Sequence, residues 1–133
     1  MKVFVADSSS VIRERLREML NSIPCVEVAG EADNVAGVMR SICTTQPDVM
    51  ILGFSSARDN LEVLRRIRMQ PLTIKVIVMT NKVYSLYRSK CISSGADHFL
   101  DKSRDIGKLS SLLSRLADET APENRLVAIQ GNE

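Results

Sequence analysis

The sequence contains one histidine, His98, which leaves little room for a metal cluster or a Ser-His-Asp triad. Its three cysteines, Cys25, Cys43 and Cys91, are odd in number and lack C-x-x-C spacing. That argues against both a disulfide framework and zinc, and favours small buried fillers in a reducing cytoplasm. Glycine and proline are scarce, at six and four positions, and apolar residues make up 44%, so the composition is that of a globular chain and not a disordered one. No uninterrupted apolar run exceeds four residues, Val49–Leu52 and Val76–Met79 being examples, which excludes a membrane-spanning helix. The opening Met1-Lys2-Val3-Phe4-Val5-Ala6-Asp7 meets an acid too early for a secretory signal. Eighteen basic against sixteen acidic residues leave a net charge of only +2, too little to announce nucleic acid or a membrane surface as a partner. The densest basic stretch, Arg65-Arg66-Ile67-Arg68, reads as a solvated helix face. A chain of 133 residues is expected to form one domain with a self-sufficient core.

What is present is alternation. Short β-branched runs at Lys2–Ala6, Val26–Ala29, Val49–Phe54, Ile74–Thr80 and His98–Leu100 each precede a stretch with apolar residues at helical spacing. Val11, Ile12, Leu16, Met19 and Leu20 mark the first such stretch, and Ile106, Leu109, Leu112, Leu113 and Leu116 the last. Asp33 and Asp59 stand where helix caps are expected. Five strand–helix units without internal repeats predict a doubly wound, five-stranded parallel sheet with right-handed crossovers. In such a fold the working site lies at the C-terminal ends of the strands, beside the reversal of strand order. We expect this domain over residues 1–118. Residues 119–133 read as a polar tail or linker whose Leu126-Val127-Ala128-Ile129 patch is too short for a domain.

The stretches Val26–Ala32, Pro47-Asp48-Val49, Asn60–Arg68, Val76–Thr80 and Gly95–Lys102, in this order and spacing, resemble the receiver domains of bacterial response regulators, the CheY-like, flavodoxin-like fold. The NarL-type branch is the most similar in flavour, and the resemblance covers about residues 1–117. It implies a module that takes a phosphoryl group from a histidine kinase onto an aspartate ending the third strand. An acidic pair ending the first strand would hold Mg²⁺, and a Thr/Ser and a Lys would contact the phosphoryl oxygens.

Carried over residue by residue, the first acid is Asp7, the threonine Thr80, the lysine Lys102 and the switch aromatic Phe99. The second acid falls on Ser8 and the phosphoacceptor on Gly53. The following loop, Ser55-Ser56-Ala57-Arg58, is one residue short and lacks the usual Met-Pro pair, and Ser103 replaces the proline after the lysine. Glycine offers no nucleophile. One carboxylate is also a poor ligand set for Mg²⁺, and Asp7 already balances Lys102 without metal. We therefore expect no metal and no cofactor, an Asp7–Lys102 approach across position 53, and a trans Lys102–Ser103 peptide. Helix capping or loop-amide bonding by Asp7, or a solvated Lys102, are the plainer alternatives. Asp59 and Asp48 are candidate substitute acceptors, one at a helix start and the other at the wrong end of its strand.

The expected function is that of a degenerate, non-enzymatic receiver acting in the cytoplasm through protein–protein contact. The resemblance implies docking of a partner or a second copy on the surface of the fourth helix, fifth strand and fifth helix, where Tyr84, Tyr87 and Arg88 are candidate anchors. An alternative is the receiver portion of a DNA-binding transcription regulator. No helix-turn-helix lies within these residues, so no direct nucleic-acid binding is expected. A flavodoxin-like or nucleotide-binding protein is a third reading. It lacks support, since Asp7-Ser8-Ser9-Ser10 stands where a G-x-G-x-x-G or P-loop would follow the first strand, although that serine cluster could meet a small anion.

Overall fold

A computed structural model describes residues 1–120. Strands and helices alternate as β1 (Lys2–Ala6), α1 (Ser10–Asn21), β2 (Glu27–Ala32), α2 (Val35–Thr45), β3 (Val49–Leu52), α3 (Ala57–Arg68), β4 (Lys75–Thr80), α4 (Ser85–Ser93), β5 (His98–Asp101) and α5 (Ile106–Thr120). All strand pairs are parallel, in the order β2-β1-β3-β4-β5, so strand order reverses between β1 and β3. No helix among the described residues is long and apolar enough to cross a membrane.

Continuous apolar strands follow from burial on both faces. Phe4, Ala6, Met50, Leu52, Val76 and Val78 point to one side, where α2, α3 and α4 contribute Val38, Ile42, Val63, Leu64 and Cys91. Their alternating neighbours Val3, Val5, Val49, Ile51, Ile77 and Met79 pack on the other side against Leu16 and Leu20 of α1 and Leu109, Leu113 and Leu116 of α5. The period-2 geometry of a strand thus supplies two cores from one sheet.

Several expectations are corrected at the level of single residues. Asn34, not Asp33, caps α2, accepting the Gly37 N–H at 2.8 Å. Ser56, not Asp59, caps α3, leaving Asp59 in the favourable first turn. β2 extends to Ala32 because β1 pairs it in register up to Ala6↔Ala32, past an irregularity between Val3 and Phe4. α5 continues to Thr120, two residues beyond the expected boundary. The remainder of the expected tail, with Leu126–Ile129, lies outside the described residues. Only Cys91 of the three cysteines is a buried filler; Cys25 and Cys43 are exposed.

The basic stretch ending α3 is only partly a solvated face. Arg68 turns back to donate to Ile74 O at 2.7 Å and to Gly95 O, and its guanidinium lies 3.0 Å from Asp97 Oδ2. Asp97 in turn accepts the Val76 N–H at 2.8 Å, so one side chain fastens the end of α3 to the start of β4 and to the α4–β5 turn. That turn requires glycine. Gly95 has φ +113°, and a Cβ there would meet Arg68 Nε at 2.6 Å. Gly95→Ala is therefore expected to destabilise the domain by about 1–3 kcal/mol, from backbone strain and displacement of Arg68. Urea denaturation checks this, and an unchanged midpoint would contradict it.

Candidate functional site

The three loops at the reversal point converge on one buried ion pair. Asp7 follows β1, held there as its N–H donates to Ala32 O at 3.1 Å. Lys102 follows β5, with its N–H on Thr80 O at 3.0 Å. Between them Gly53 continues β3, its N–H on Ala6 O at 2.8 Å. From this frame the Lys102 ammonium reaches Asp7 Oδ2 at 2.6 Å and donates to Gly53 O at 2.8 Å. The Asp7 side chain is 3% exposed and that of Lys102 18%. The second carboxylate oxygen, Oδ1, accepts the Ser9 N–H at 2.8 Å, and Arg13 Nη1 donates to the Asp7 carbonyl at 2.7 Å. Asp7 therefore neutralises Lys102 and bonds a loop amide, whereas the cap of α1 is Ser9, which corrects the helix-capping alternative.

Gly53 permits this arrangement by having no side chain. A Cβ at this position would lie 2.8 Å from Asp7 Oδ2, 3.0 Å from Met79 O and 3.2 Å from Lys102 Nζ. The space normally filled by a side chain is where the pair closes.

The neighbouring loops are tied by hydrogen bonds without ion pairs. Ser8 Oγ accepts the Ser55 N–H at 3.3 Å, and Lys82 Nζ donates to Ser55 O at 2.7 Å. Thr80 is buried, and its hydroxyl accepts the Lys82 N–H at 3.0 Å, which fixes the β4–α4 loop. Ser9 Oγ accepts the Ile12 N–H at 3.3 Å, so the serine cluster caps its own helix. Ser103 donates through both N–H and Oγ to Asp101 Oδ1, an Asx-type turn at the position where the resemblance expects proline. These bonds hold the Asp101 carboxyl below its ordinary range. The Lys102–Ser103 peptide is trans.

Phe99 is half-buried and meets Tyr87 edge-on, with ring centroids 5.8 Å apart. Tyr87 is only 8% exposed, which removes it from the candidate docking anchors; Tyr84, at 73%, and the exposed Arg88 remain on the surface. The Tyr87 hydroxyl accepts from Asn60 Nδ2 at 2.9 Å. Fully buried Asn60 also donates to Phe54 O and accepts the Phe54 N–H, both at 2.9 Å, so it clamps the β3–α3 loop to α4. Sequence reading missed Asn60, Lys82 and Arg13. For Asn60 a signal existed: a polar amide on the α3 stripe shared by Leu64 and Ile67. Of the candidate substitute acceptors, Asp48 accepts the Lys2 N–H at 2.8 Å at the opposite edge of the sheet, and Asp59 lies in the first turn of α3, outside the ion pair.

Mg²⁺ coordination needs several hard oxygens. Here Asp7 is the sole carboxylate of the pocket, and its oxygens already serve Lys102 and Ser9. These residues do not fit the metal. Among the described residues no group of three or more His, Cys, Asp or Glu side chains is placed to hold one.

Removing Asp7 strands a mostly buried ammonium. Asp7→Ala is expected to cost about 3 kcal/mol, within the range for breaking buried pairs. Chemical denaturation reads the loss, and melting at the wild-type temperature would refute the pair's structural role. A second outcome concerns pH. Burial pushes the Tyr87 hydroxyl up to about 12, against the opposing Asn60 bond, and burial also raises the Cys91 thiol beside it. An unfolded tyrosine ionises near pH 10, so the stabilising difference is complete below about pH 10 and disappears between about 10 and 12. Across that window the wild type should lose more stability in urea than Tyr87→Phe; equal losses would contradict the assignment.

The described geometry agrees with comparisons to known proteins. Residues 3–114 match the family model of the response regulator receiver domain. A Pseudomonas aeruginosa protein named as a transcriptional regulator is 30% identical over 109 residues, covering 81% of this chain and 52% of its own length. BvgA of Bordetella pertussis, named as a positive transcription regulator of virulence factors, is 26% identical over 149 aligned positions, covering 98% of this chain and 71% of its own. The chain thus spans about half to seven-tenths of these two relatives. Among solved structures, the signal receiver domain named NarL from Mycobacterium tuberculosis superposes with a TM-score of 0.79 at 24% identity, over 88% of this chain and 95% of that one. The chain belongs to the response regulator receiver domain family, whose members are signalling modules with the CheY-like fold.

Proposed function

We propose that this chain is a pseudo-receiver: a cytoplasmic, non-enzymatic signalling module that works by protein–protein contact without phosphorylation at the usual strand-3 position. One observation carries the reading. Where the family's acceptor would stand, Gly53 has no nucleophile, and Lys102 is bonded to both Asp7 Oδ2 and Gly53 O. Phosphoryl transfer relies on concentrated positive charge to offset the developing oxyanions. In this pocket that charge is neutralised by Asp7, and a metal ligand set is missing. The partner-facing surface of α4, β5 and α5, with Tyr84 and Arg88, is then read in one fixed loop arrangement and can serve a protein partner or a second copy.

A second reading is compatible with the first. The two relatives named as transcription regulators are longer than the stretch matched here, which favours a receiver portion of a DNA-binding regulator, with the residues after α5 as its linker. An in-frame helix-turn-helix after Glu133 in the gene would mark it.

Incubation with acetyl phosphate and Mg²⁺ tests the main reading by intact-mass spectrometry. No phosphoryl adduct should form, and Mg²⁺ alone should leave the melting temperature unchanged. A stoichiometric adduct, whether on Asp59 or elsewhere, would overturn phosphorylation independence.

A further inference from the structure

Of the seven large hydrophobic side chains most exposed among the described residues, four fall between positions 83 and 92: Val83, Tyr84, Leu86 and Ile92. The segment from Asn81 to Ser94 holds Lys82, Arg88 and Lys90 and no acidic residue. Apolar surface and unbalanced positive charge therefore coincide on α4 and its leading loop. Part of both, Tyr84 and Leu86 with Lys82 and Lys90, lines a groove of about 400 Å³ between α3 and α4, together with Ala57 and Leu61 of α3.

The start of α4 departs from the other capped helices. Ser9, Asn34 and Ser56 cap α1, α2 and α3 through side-chain oxygens, whereas the N-cap of α4 is Tyr84, which makes no side-chain cap bond. An N-cap without an acceptor forgoes stability that serine would supply. At 73% exposure the ring gains little burial in exchange. A large aromatic at a position that stability alone would assign to a small polar residue suits an interface anchor.

We infer that the α3–α4 groove is a docking site for an acidic amphipathic helix of a protein partner, which seats apolar side chains against Ala57, Leu61 and Leu86 and sets acidic flanks against Lys82 and Lys90. The inference rests on the protein-contact reading above and places the contact on the α3 side of α4, which shares Tyr84 with the α4–β5–α5 surface but not Arg88, grouped instead with Phe99 and Arg104. An apolar groove edged by charges of one sign matches the helix-in-groove mode, in which anchors recur at i, i+3, i+4 and i+7 and rim charges select the partner. Nucleic acid is the less suited polyanion, because the strip between the two lysines is formed by Ala57, Leu61 and Leu86 and offers its bases no polar readout.

The test titrates the ¹⁵N-labelled full chain with a helical peptide of about 18 residues, roughly five turns, bearing leucines at those spacings and glutamates on the flanks. Amide shifts are expected at Ala57, Leu61, Tyr84, Leu86 and Lys90, with about tenfold weaker binding by the same peptide carrying lysine for glutamate. The exposed-site variants Leu86→Glu and Lys90→Glu should each weaken binding about tenfold without unfolding the domain. Tyr84→Ser should lose affinity while melting above the wild type, a pair of opposite effects that a merely structural residue would not show. Equal affinity for both peptides, shifts confined to Arg88, Phe99 and Arg104, or preferential binding of a single-stranded RNA oligonucleotide would each overturn the groove assignment. A photo-crosslinking residue in the native host separates the two levels. Protein adducts from position 104 and none from 86 overturn the groove alone, and adducts from neither overturn the protein-contact reading itself.

Discussion

The contact between Lys102 and Asp7 joins loops that leave β1 and β5, with the carbonyl of Gly53 on β3 as the third corner. Parallel sheets bring strand ends to one edge but do not lock the loops that follow. A buried charge imposes that lock, because an ammonium removed from water must keep its counter-charge and acceptor or the loop bearing it must open. Asp7 is oriented for the role by the Ser9 N–H, and its backbone carbonyl is held by Arg13. The neighbouring loops then close without further charge pairing, through Ser8 to Ser55, Lys82 to Ser55 O and Lys82 N–H to Thr80.

A second buried polar centre works alongside it. Asn60 satisfies both backbone groups of Phe54 and the hydroxyl of Tyr87, whose ring then meets Phe99. Such fully satisfied networks tend to fix a single packing. The two centres together tie the loops after β1, β3 and β5 and the helices α3 and α4 through buried polar contacts.

Much of this was legible in the sequence because the signals are local. Strand and helix order followed from apolar periodicity, and the approach of Asp7 and Lys102 followed from the resemblance combined with charge balance. The errors also have local causes. Asp33 and Asn34 are both good caps, and only the backbone path selects Asn34. Asp59 looked like a cap because it directly precedes the apolar stripe, but α3 starts earlier, at Ala57, and Ser56 takes the role. Arg68 looked solvated because its partners lie outside its own helix, Ile74 in the next loop and Gly95 and Asp97 farther along the chain. Tyr87 and Asn60 are 27 positions apart, so their bond could not be read from either helix alone.

The tightness around Gly53 also bears on how this protein could change over generations. With Asp7 Oδ2 at 2.8 Å and Lys102 Nζ at 3.2 Å from any Cβ, a change of Gly53 to aspartate would set a second carboxylate against the first and crowd the pair. A side chain at position 53 would thus compete with Lys102 and Asp7 for the space in which they pair. The missing side chain is thus a structural part in its own right: the closure of Asp7 on Lys102 depends on position 53 staying empty.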